Sequence, residues 1–328
     1  MKKVFITGDA GMLGNAISNA LKKDSRYKVM EFPELETYNN AFHFFKGKQV
    51  KKFEVDITNL KSLQKIFSEH LDSDSIVINC AAYVNTDKCE QFSYEAVMSN
   101  VIGTQNIINF CKQINCTLVH FSTTAVFDPE YYMEHFDGEF DETTKANPIT
   151  IYGATKYASE LAVKQSLSKF VIIKPVFIYG DFPYDNSSNL MKIVKSVLLN
   201  EKEKIDITLS EEYRKNYMHS DYFALMMKQL IDSIEFCYGK DFIISRNPKL
   251  GKTFDKWLQD IATVCNVDIQ KVYSKINLQP EKDYLKDHLG VSYNFYNLFS
   301  NWVLPPSYAD DILNIEKQKK TLLKLWNI

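Results

Sequence analysis

The chain has 328 residues, 45% of them apolar, enough to close a sizeable core with chain left over for a second lobe. Its 39 basic residues nearly balance 41 acidic ones, and the net charge of −2 argues against nucleic acid or an anionic membrane as the main partner. No apolar run reaches the ~18 residues that a bilayer-spanning helix needs. Six cysteines (Cys80, Cys89, Cys111, Cys116, Cys237, Cys265) show neither C-x-x-C spacing nor a histidine pattern suited to zinc. The expectation is a cytoplasmic protein with reduced thiols, no metal site and, since a strand opens the chain, no signal peptide.

In chain order, short apolar runs rich in β-branched residues alternate with helical patterns. The runs are 4–7, 27–32, 50–55, 75–80, 117–122, 170–175 and 241–245. Apolar on both faces and separated by helices, they predict an α/β fold with a doubly wound parallel sheet, the Rossmann arrangement. Met12, Ile17 and Leu21 form one helical stripe; Val101, Ile107, Ile108 and Cys111 form another within 99–112. Residues 34–48 are aromatic, polar and irregular, which predicts a loop. Residues 131–147 are acidic and aromatic, and read as a surface insertion or as a flap over the site. The pattern weakens after Tyr179-Gly180. A dinucleotide-binding domain is therefore expected over 1–180, with a return to the sheet near 216–246, and a smaller α/β substrate lobe over 181–328. The amphipathic stretch 310–326 reads as core packing or an oligomer contact.

Directly after the first run stands Thr7-Gly8-Asp9-Ala10-Gly11-Met12-Leu13-Gly14. Gly8 permits a tight turn out of the strand, Gly11 lets backbone N–H groups approach a pyrophosphate, and Gly14 lets the helix pack close to the sheet. The helix N-terminus adds positive potential. Asp56 and Ile57 follow the third run, where a carboxylate would accept from an adenine amine. Asp56-Ile57-Thr58-Asn59 also reads as helix-start chemistry, and both roles hold if Thr58 or Asn59 does the capping. Ala81 and Ala82, before Tyr83, are small enough for the backbone to pass close to a cofactor. The second run ends Glu31-Phe32-Pro33-Glu34; either glutamate would favour the ribose 2′-hydroxyl of NAD, and no arginine stands nearby for a 2′-phosphate. NADP and NAD both stay open.

Tyr152 and Lys156 are four residues apart, so on a helix they share one face. Free tyrosine has a pKa of ~10, and a nearby ammonium together with an oxidised nicotinamide would favour the phenolate. Tyr152 would give a proton to a carbonyl oxygen as hydride arrives, or take one in reverse. Thr123, in Phe121-Ser122-Thr123-Thr124, would hydrogen-bond the same oxygen. The glycine turn, the central hydroxyl and the Tyr/Lys pair, in that order, point to a nicotinamide-dependent enzyme working at an alcohol or ketone carbon.

Thr7-Gly8-x-x-Gly11-x-x-Gly14, Asn79-x-Ala81-Ala82, Asn100-Val101-x-Gly103-Thr104 and Tyr152-x-x-x-Lys156 make the chain resemble the extended short-chain dehydrogenase/reductase superfamily over most of its length. Within it, residues 79–90, 122–127 and 152–160 are most similar to dTDP-4-dehydrorhamnose reductases. The resemblance implies NAD(P)H-dependent reduction of the keto group of a nucleotide-linked 6-deoxy sugar, in supply of surface polysaccharide precursors. It implies catalysis by Thr123, Tyr152 and Lys156. Cofactor contacts would fall at Gly8, Gly11, Met12, Leu13, Gly14, Asp56, Ile57, Ala81, Ala82, Tyr83, Asn100, Tyr152, Lys156 and Pro175. Sugar contacts would fall at Thr123, Thr124 and Phe177, and a homodimer through two long helices flanking the sheet is a further option.

There are departures from that pattern. Those reductases carry Asp-Tyr where this chain has Thr124-Ala125, and usually tryptophan where it has Phe177; it also has an insertion before Tyr152 and a longer C-terminal part. A nucleotide-sugar 4-epimerase with tightly bound NAD uses the same apparatus, and Tyr217-Met218-His219-Ser220-Asp221 resembles a segment of such enzymes. An NADP-binding regulatory subunit without turnover is the third reading. A 4,6-dehydratase is disfavoured, because Thr124-Ala125 offers no acid unless Asp87 or Glu90 substitutes.

Overall fold

A strand with no polar face needs cover on both sides, and the chain builds one sheet from such strands. β1 (Lys2–Thr7), β2 (Tyr27–Val29), β3 (Ile76–Asn79), β4 (Thr117–Phe121), β5 (Phe170–Pro175) and β6 (Lys240–Ile244) stand in the order β6-β5-β4-β3-β1-β2. Every pairing between them is parallel. β3 and β4 are buried at every residue. The fold is α/β with a Rossmann sheet, as the alternating runs predict.

The computed structural model describes residues 1–9, 11–30, 38–45, 48–128, 131, 139–180, 189–207, 214–215, 217–245, 252–278, 289–290, 298 and 316. The chain divides into two units: 1–128 with 144–175 and 224–244, and 129–143 with 176–223 and 245–328.

In the first unit, the sheet is joined by α1 (Met12–Lys22), α2 (Leu60–His70), α3 (Thr104–Ile114) and α4 (Ile151–Ser166). α3 packs against both α2 and α4. Phe5, Leu63, Ile66, Phe67, Ile107 and Ile172 share one core, with Phe67 stacked on Phe110 at 5.1 Å and edge-on to Phe5 at 6.2 Å. Each large apolar side chain so buried contributes roughly 1.5–3 kcal/mol. The helix expected from residue 99 begins instead as a π-helical turn, Met98–Gly103, preceded by the short helices Thr86–Gln91 and Ser93–Val97. Gly103 lies against Ile57, where a Cβ would come within 2.5 Å of Ile57 Cγ1. Such turns recur where a helix must turn a polar side chain to a particular use.

Two expectations need correction. The run near 50–55 is a strand, Lys48–Val55, but it pairs antiparallel with Tyr38–Phe45 and is not part of the six-stranded sheet. Tyr38–Phe45 therefore takes the place of the predicted loop. Its tyrosine and phenylalanines have strong strand propensity, and Phe45 stands opposite Lys48 in the register. Local pairing then satisfies both backbones without a crossover. β2 ends at Val29, so Glu31 and Glu34 lie outside the described residues. So do residues 132–138 of the suggested flap, and 310–326 apart from Glu316.

The second unit has its own core. α5 (Asn189–Leu199), α6 (Ser220–Asp232, which continues into the first unit) and α7 (Phe254–Cys265) accompany short two-stranded pairings. Leu190, Ile193, Val194, Leu258 and Ile261 pack around Trp257, whose indole meets Tyr217 at 5.3 Å and Tyr179 at 5.8 Å, both edge-on. Among the described residues no helix is long and apolar enough to cross a membrane.

Candidate active site

The glycine turn is built as its spacing requires. Gly8 has φ +66°, a left-handed setting, and a Cβ there would lie 2.8 Å from the Ala81 amide nitrogen. A Cβ on Gly14 would come within 2.4 Å of the Gly8 carbonyl oxygen, so α1 can sit this close to the turn only with glycine at 14. Gly11 heads α1 without a side-chain cap, and its amide donates to the Gly8 carbonyl at 2.9 Å. Met12 and Leu13 open the helix, and no acidic residue stands in its first turn. Helix amides and a first turn without negative charge fit the diphosphate of a dinucleotide.

Asp56 serves a turn: its Oδ1 accepts from the Thr58 amide at 2.9 Å and from the Thr58 hydroxyl at 2.7 Å. Asn59 caps α2, accepting from the Ser62 amide at 3.2 Å. Ile57 turns its side chain into the core, and its carbonyl accepts from Asn106 at 3.0 Å. Asn100 is fully buried and its amide is used within the protein. Its Oδ1 accepts from the Tyr83 amide at 2.7 Å, and its Nδ2 donates to the Tyr83 carbonyl at 3.1 Å and to Thr155 Oγ1 at 3.0 Å. Asn100 thus locks the stretch after Ala81-Ala82 onto α4, and the π-helical turn aims it there.

The structure sets Thr123 against Tyr152, with Lys156 one helical turn further along α4. Thr123 caps a short turn, its Oγ1 accepting from the Ala125 amide at 3.1 Å, and its side chain hydrogen-bonds the Tyr152 phenol. The N-terminus of α4 is capped twice, by Thr150 accepting from the Gly153 amide at 3.0 Å and by Glu90 accepting from the Ile151 amide at 2.7 Å. α4 can press on the 123–125 turn because residue 153 is glycine; a Cβ there would lie 2.1 Å from the Ala125 carbonyl oxygen. Thr124 is buried beneath the turn.

Burial dominates the protonation of both Tyr152 and Lys156. It pushes the Tyr152 phenol up to about 12, against the lowering hydrogen bond from Thr123. Lys156, 1% exposed, is itself brought down to about 8 by burial, with the Glu160 carboxylate opposing. At neutral pH the helix therefore carries a protonated phenol at 152 and a mostly charged ammonium one turn on at 156. Tyr152 is then a proton donor, the form that ketone reduction needs.

Pro175 ends β5 opposite Ile244 in the register. Phe177 belongs to the second unit, its ring 5.4 Å from that of Tyr217. Several residues that the motifs did not single out support α4. Ser122 Oγ donates to Glu160, Lys174 lies 3.1 Å from Glu160 and 2.5 Å from Asp241, and Ser159 bonds His120 at 2.9 Å. The available signal was composition: Lys174 and His120 interrupt otherwise apolar strands, where a polar side chain needs a buried partner. Among the described residues, no group of three or more His, Cys, Asp or Glu is placed to hold a metal.

Residues 1–212 match the family model of the RmlD substrate binding domain. A probable low-salt glycan biosynthesis reductase of Haloferax volcanii is 30% identical over 177 residues, covering 54% of this chain and 53% of that protein. A dTDP-4-dehydrorhamnose reductase of Aggregatibacter actinomycetemcomitans is 26% identical over 196 residues, covering 60% and 58%. The chain thus spans little more than half the length of these two relatives. Among solved structures, dTDP-4-dehydrorhamnose reductase from Bacillus anthracis in complex with NADP superimposes with a TM-score of 0.70 at 24% identity, over 96% of this chain and 98% of that one.

Proposed function

The chain belongs to the RmlD substrate binding domain family, and from that premise we propose that it reduces the keto group of a nucleotide-linked 6-deoxy sugar with NADPH or NADH. The observation that carries the reading is the Thr123 hydroxyl bonded to a protonated Tyr152, with buried Lys156 one helical turn on. The names of the relatives support the same class of reaction.

Gly8, Gly11, Met12, Leu13 and Gly14 would hold the cofactor diphosphate. Asp56 and Ile57 would meet its adenine end, and Ala81, Ala82, Tyr83 and Pro175 would pass close to it, with Asn100 holding Tyr83 in place. The reduced nicotinamide, when bound, supplies hydride to the carbonyl carbon. Tyr152 gives its phenolic proton to the carbonyl oxygen, which completes a secondary alcohol. Thr123 hydrogen-bonds that oxygen and holds it toward the phenol. Lys156 keeps a positive charge beside the phenolate that remains, which lowers the cost of giving up the proton. Thr124, and Phe177 from the second unit, are proposed sugar contacts, and the second unit is the proposed substrate lobe. Glu90 is engaged at the head of α4, which supports a reductase over a dehydratase that would need it as an acid.

A homodimer is also proposed. Tyr94, Val97, Ile102 and Leu161 stay exposed on helical segments that pack together, an apolar surface suited to a second copy.

The direct test is oxidation of NADPH and NADH, assayed separately, against a panel of nucleotide-linked 4-keto-6-deoxy sugars. Stoichiometric oxidation with one of them is expected, and names substrate and cofactor together. Retained cofactor without net oxidation would replace this reading with an epimerase or a regulatory binder.

A further inference from the structure

A buried polar chain in the first unit, separate from the Ser122–Glu160–Lys174 network, takes no part in the steps above. Thr7, Asn79 and His120 are register partners on the adjacent strands β1, β3 and β4. Register partners project from the same face, so these three side chains form a polar row across a largely apolar sheet. The row is bonded end to end. Thr7 Oγ1 donates to Asn79 Oδ1 at 2.6 Å and accepts from the Ala81 amide at 3.3 Å. The Asn79 amide nitrogen donates to Thr104 Oγ1 at 3.3 Å and lies 3.3 Å from His120 Nδ1. Facing an NH₂ group, Nδ1 must accept, which leaves the imidazole proton on Nε2. Nε2 then donates to Ser159 Oγ at 2.9 Å, and the Ser159 hydroxyl donates to the Lys156 carbonyl at 2.7 Å.

Thr7 is the residue before Gly8, and the other end of the chain is the backbone of Lys156. Thr7, Asn79, Thr104, His120 and Ser159 are all buried. Burying five polar side chains is unfavourable unless each is bonded, and phenylalanine would fill the place of His120 at less desolvation cost. The arrangement therefore asks for a use beyond packing.

We propose that His120 is a positioning residue: it links the strand end that opens the glycine turn to the helical turn that carries Lys156, and so holds Tyr152 and Lys156 in one setting against that turn. Its effect on turnover rests on the reductase reading; the linkage does not.

Three variants test it. Ser159→Ala removes the last link and keeps the imidazole. His120→Asn keeps a group facing Asn79 but falls short of Ser159, and His120→Gln sets an amide N–H close to the place of Nε2. Each is measured, where circular dichroism shows it folded, for amide exchange over residues 155–160 and for kcat and KM with the sugar that wild type reduces. Ser159→Ala and His120→Asn are expected to lower kcat about 10–100-fold with KM changed less than about three-fold, and to speed exchange about ten-fold or more. His120→Gln is expected to recover most of both. Wild-type exchange and kcat within two-fold of normal in Ser159→Ala and His120→Asn would overturn the proposal, as would a loss that His120→Gln fails to recover. If wild type binds NADPH but reduces no sugar, the reductase reading fails, and the exchange rates still decide the linkage.

Discussion

Two opposed effects set the state of Tyr152 and Lys156. Burial removes water from both, so each favours its neutral form: phenol for Tyr152, amine for Lys156. Tyr152 at about 12 keeps its proton throughout the neutral range. Tyr152→Phe deletes that proton while leaving the ring, and turnover is expected to fall by about 10²–10⁴-fold with NADPH affinity within a few-fold; unchanged turnover would remove Tyr152 from the mechanism. Lys156 keeps its charge below about 8 and loses it above, so reduction is expected to decline as pH rises through about 8, read from a kcat/KM profile. The same shift has a stability sign. Between about 8 and the ordinary 10.5 the unfolded chain binds the proton that the folded chain has lost, so stability rises with pH across that window. At pH 7 the buried ammonium therefore costs on the order of 3 kcal/mol. Lys156→Met should raise the thermal midpoint at pH 7 while lowering turnover; a lower midpoint would mean that the ammonium is better compensated than its burial suggests.

At the scale of elements, α4 is the part on which the site depends. Its start is fixed by Thr150 and Glu90, its inner face by Asn100 through Thr155, and its next turn by Glu160 to Ser122 and Lys174. Gly153 lets this helix meet the Thr123–Ala125 turn directly. Gly153→Ala would put a methyl 2.1 Å from the Ala125 carbonyl oxygen, too close to keep, so helix or turn must move by about an ångström. Displacement on that scale is expected to cost about 10–100-fold in kcat with cofactor affinity little altered, because the glycine turn lies on another element. Nicotinamide titration and steady-state kinetics separate the two effects. Equal losses in both would point to general unfolding of α4 instead. The motif Tyr152-x-x-x-Lys156 was legible in the sequence because a helix repeats every 3.6 residues. The supports of α4 were not, since each comes from an element remote in sequence.

For the whole molecule, a net charge of −2 provides no broad excess of positive charge for a polyanionic partner. The exposed side chains Tyr94, Val97, Ile102 and Leu161 motivate a homodimer, and light scattering is expected to give twice the mass of the chain. Leu161→Glu should bring that value toward one chain; a monomer in the unaltered protein would withdraw the proposal. The hairpin of Tyr38–Phe45 with Lys48–Val55 shows why such a surface needs the folded chain to be recognised. A run of aromatic and polar residues reads as a loop until a neighbouring segment offers its hydrogen bonds.

The sequence by itself determined the parallel sheet apart from the run at 50–55, the glycine turn and the one-turn spacing of Tyr152 and Lys156 on a helix. Each depends on spacing within one stretch: short buried apolar runs, glycines three apart, a four-residue helical step. Only the tertiary structure decided that Asn59 rather than Asp56 caps α2, that Asn100 is spent on Tyr83 and Thr155, and that burial outweighs the Thr123 hydrogen bond at the Tyr152 phenol. Only it aligned Thr7, Asn79 and His120 in one register. The physical reason is common to all four. Hydrogen-bond partners and desolvation belong to what surrounds a group in space, and residues 72 and 41 positions apart in the chain become neighbours only when the strands pair.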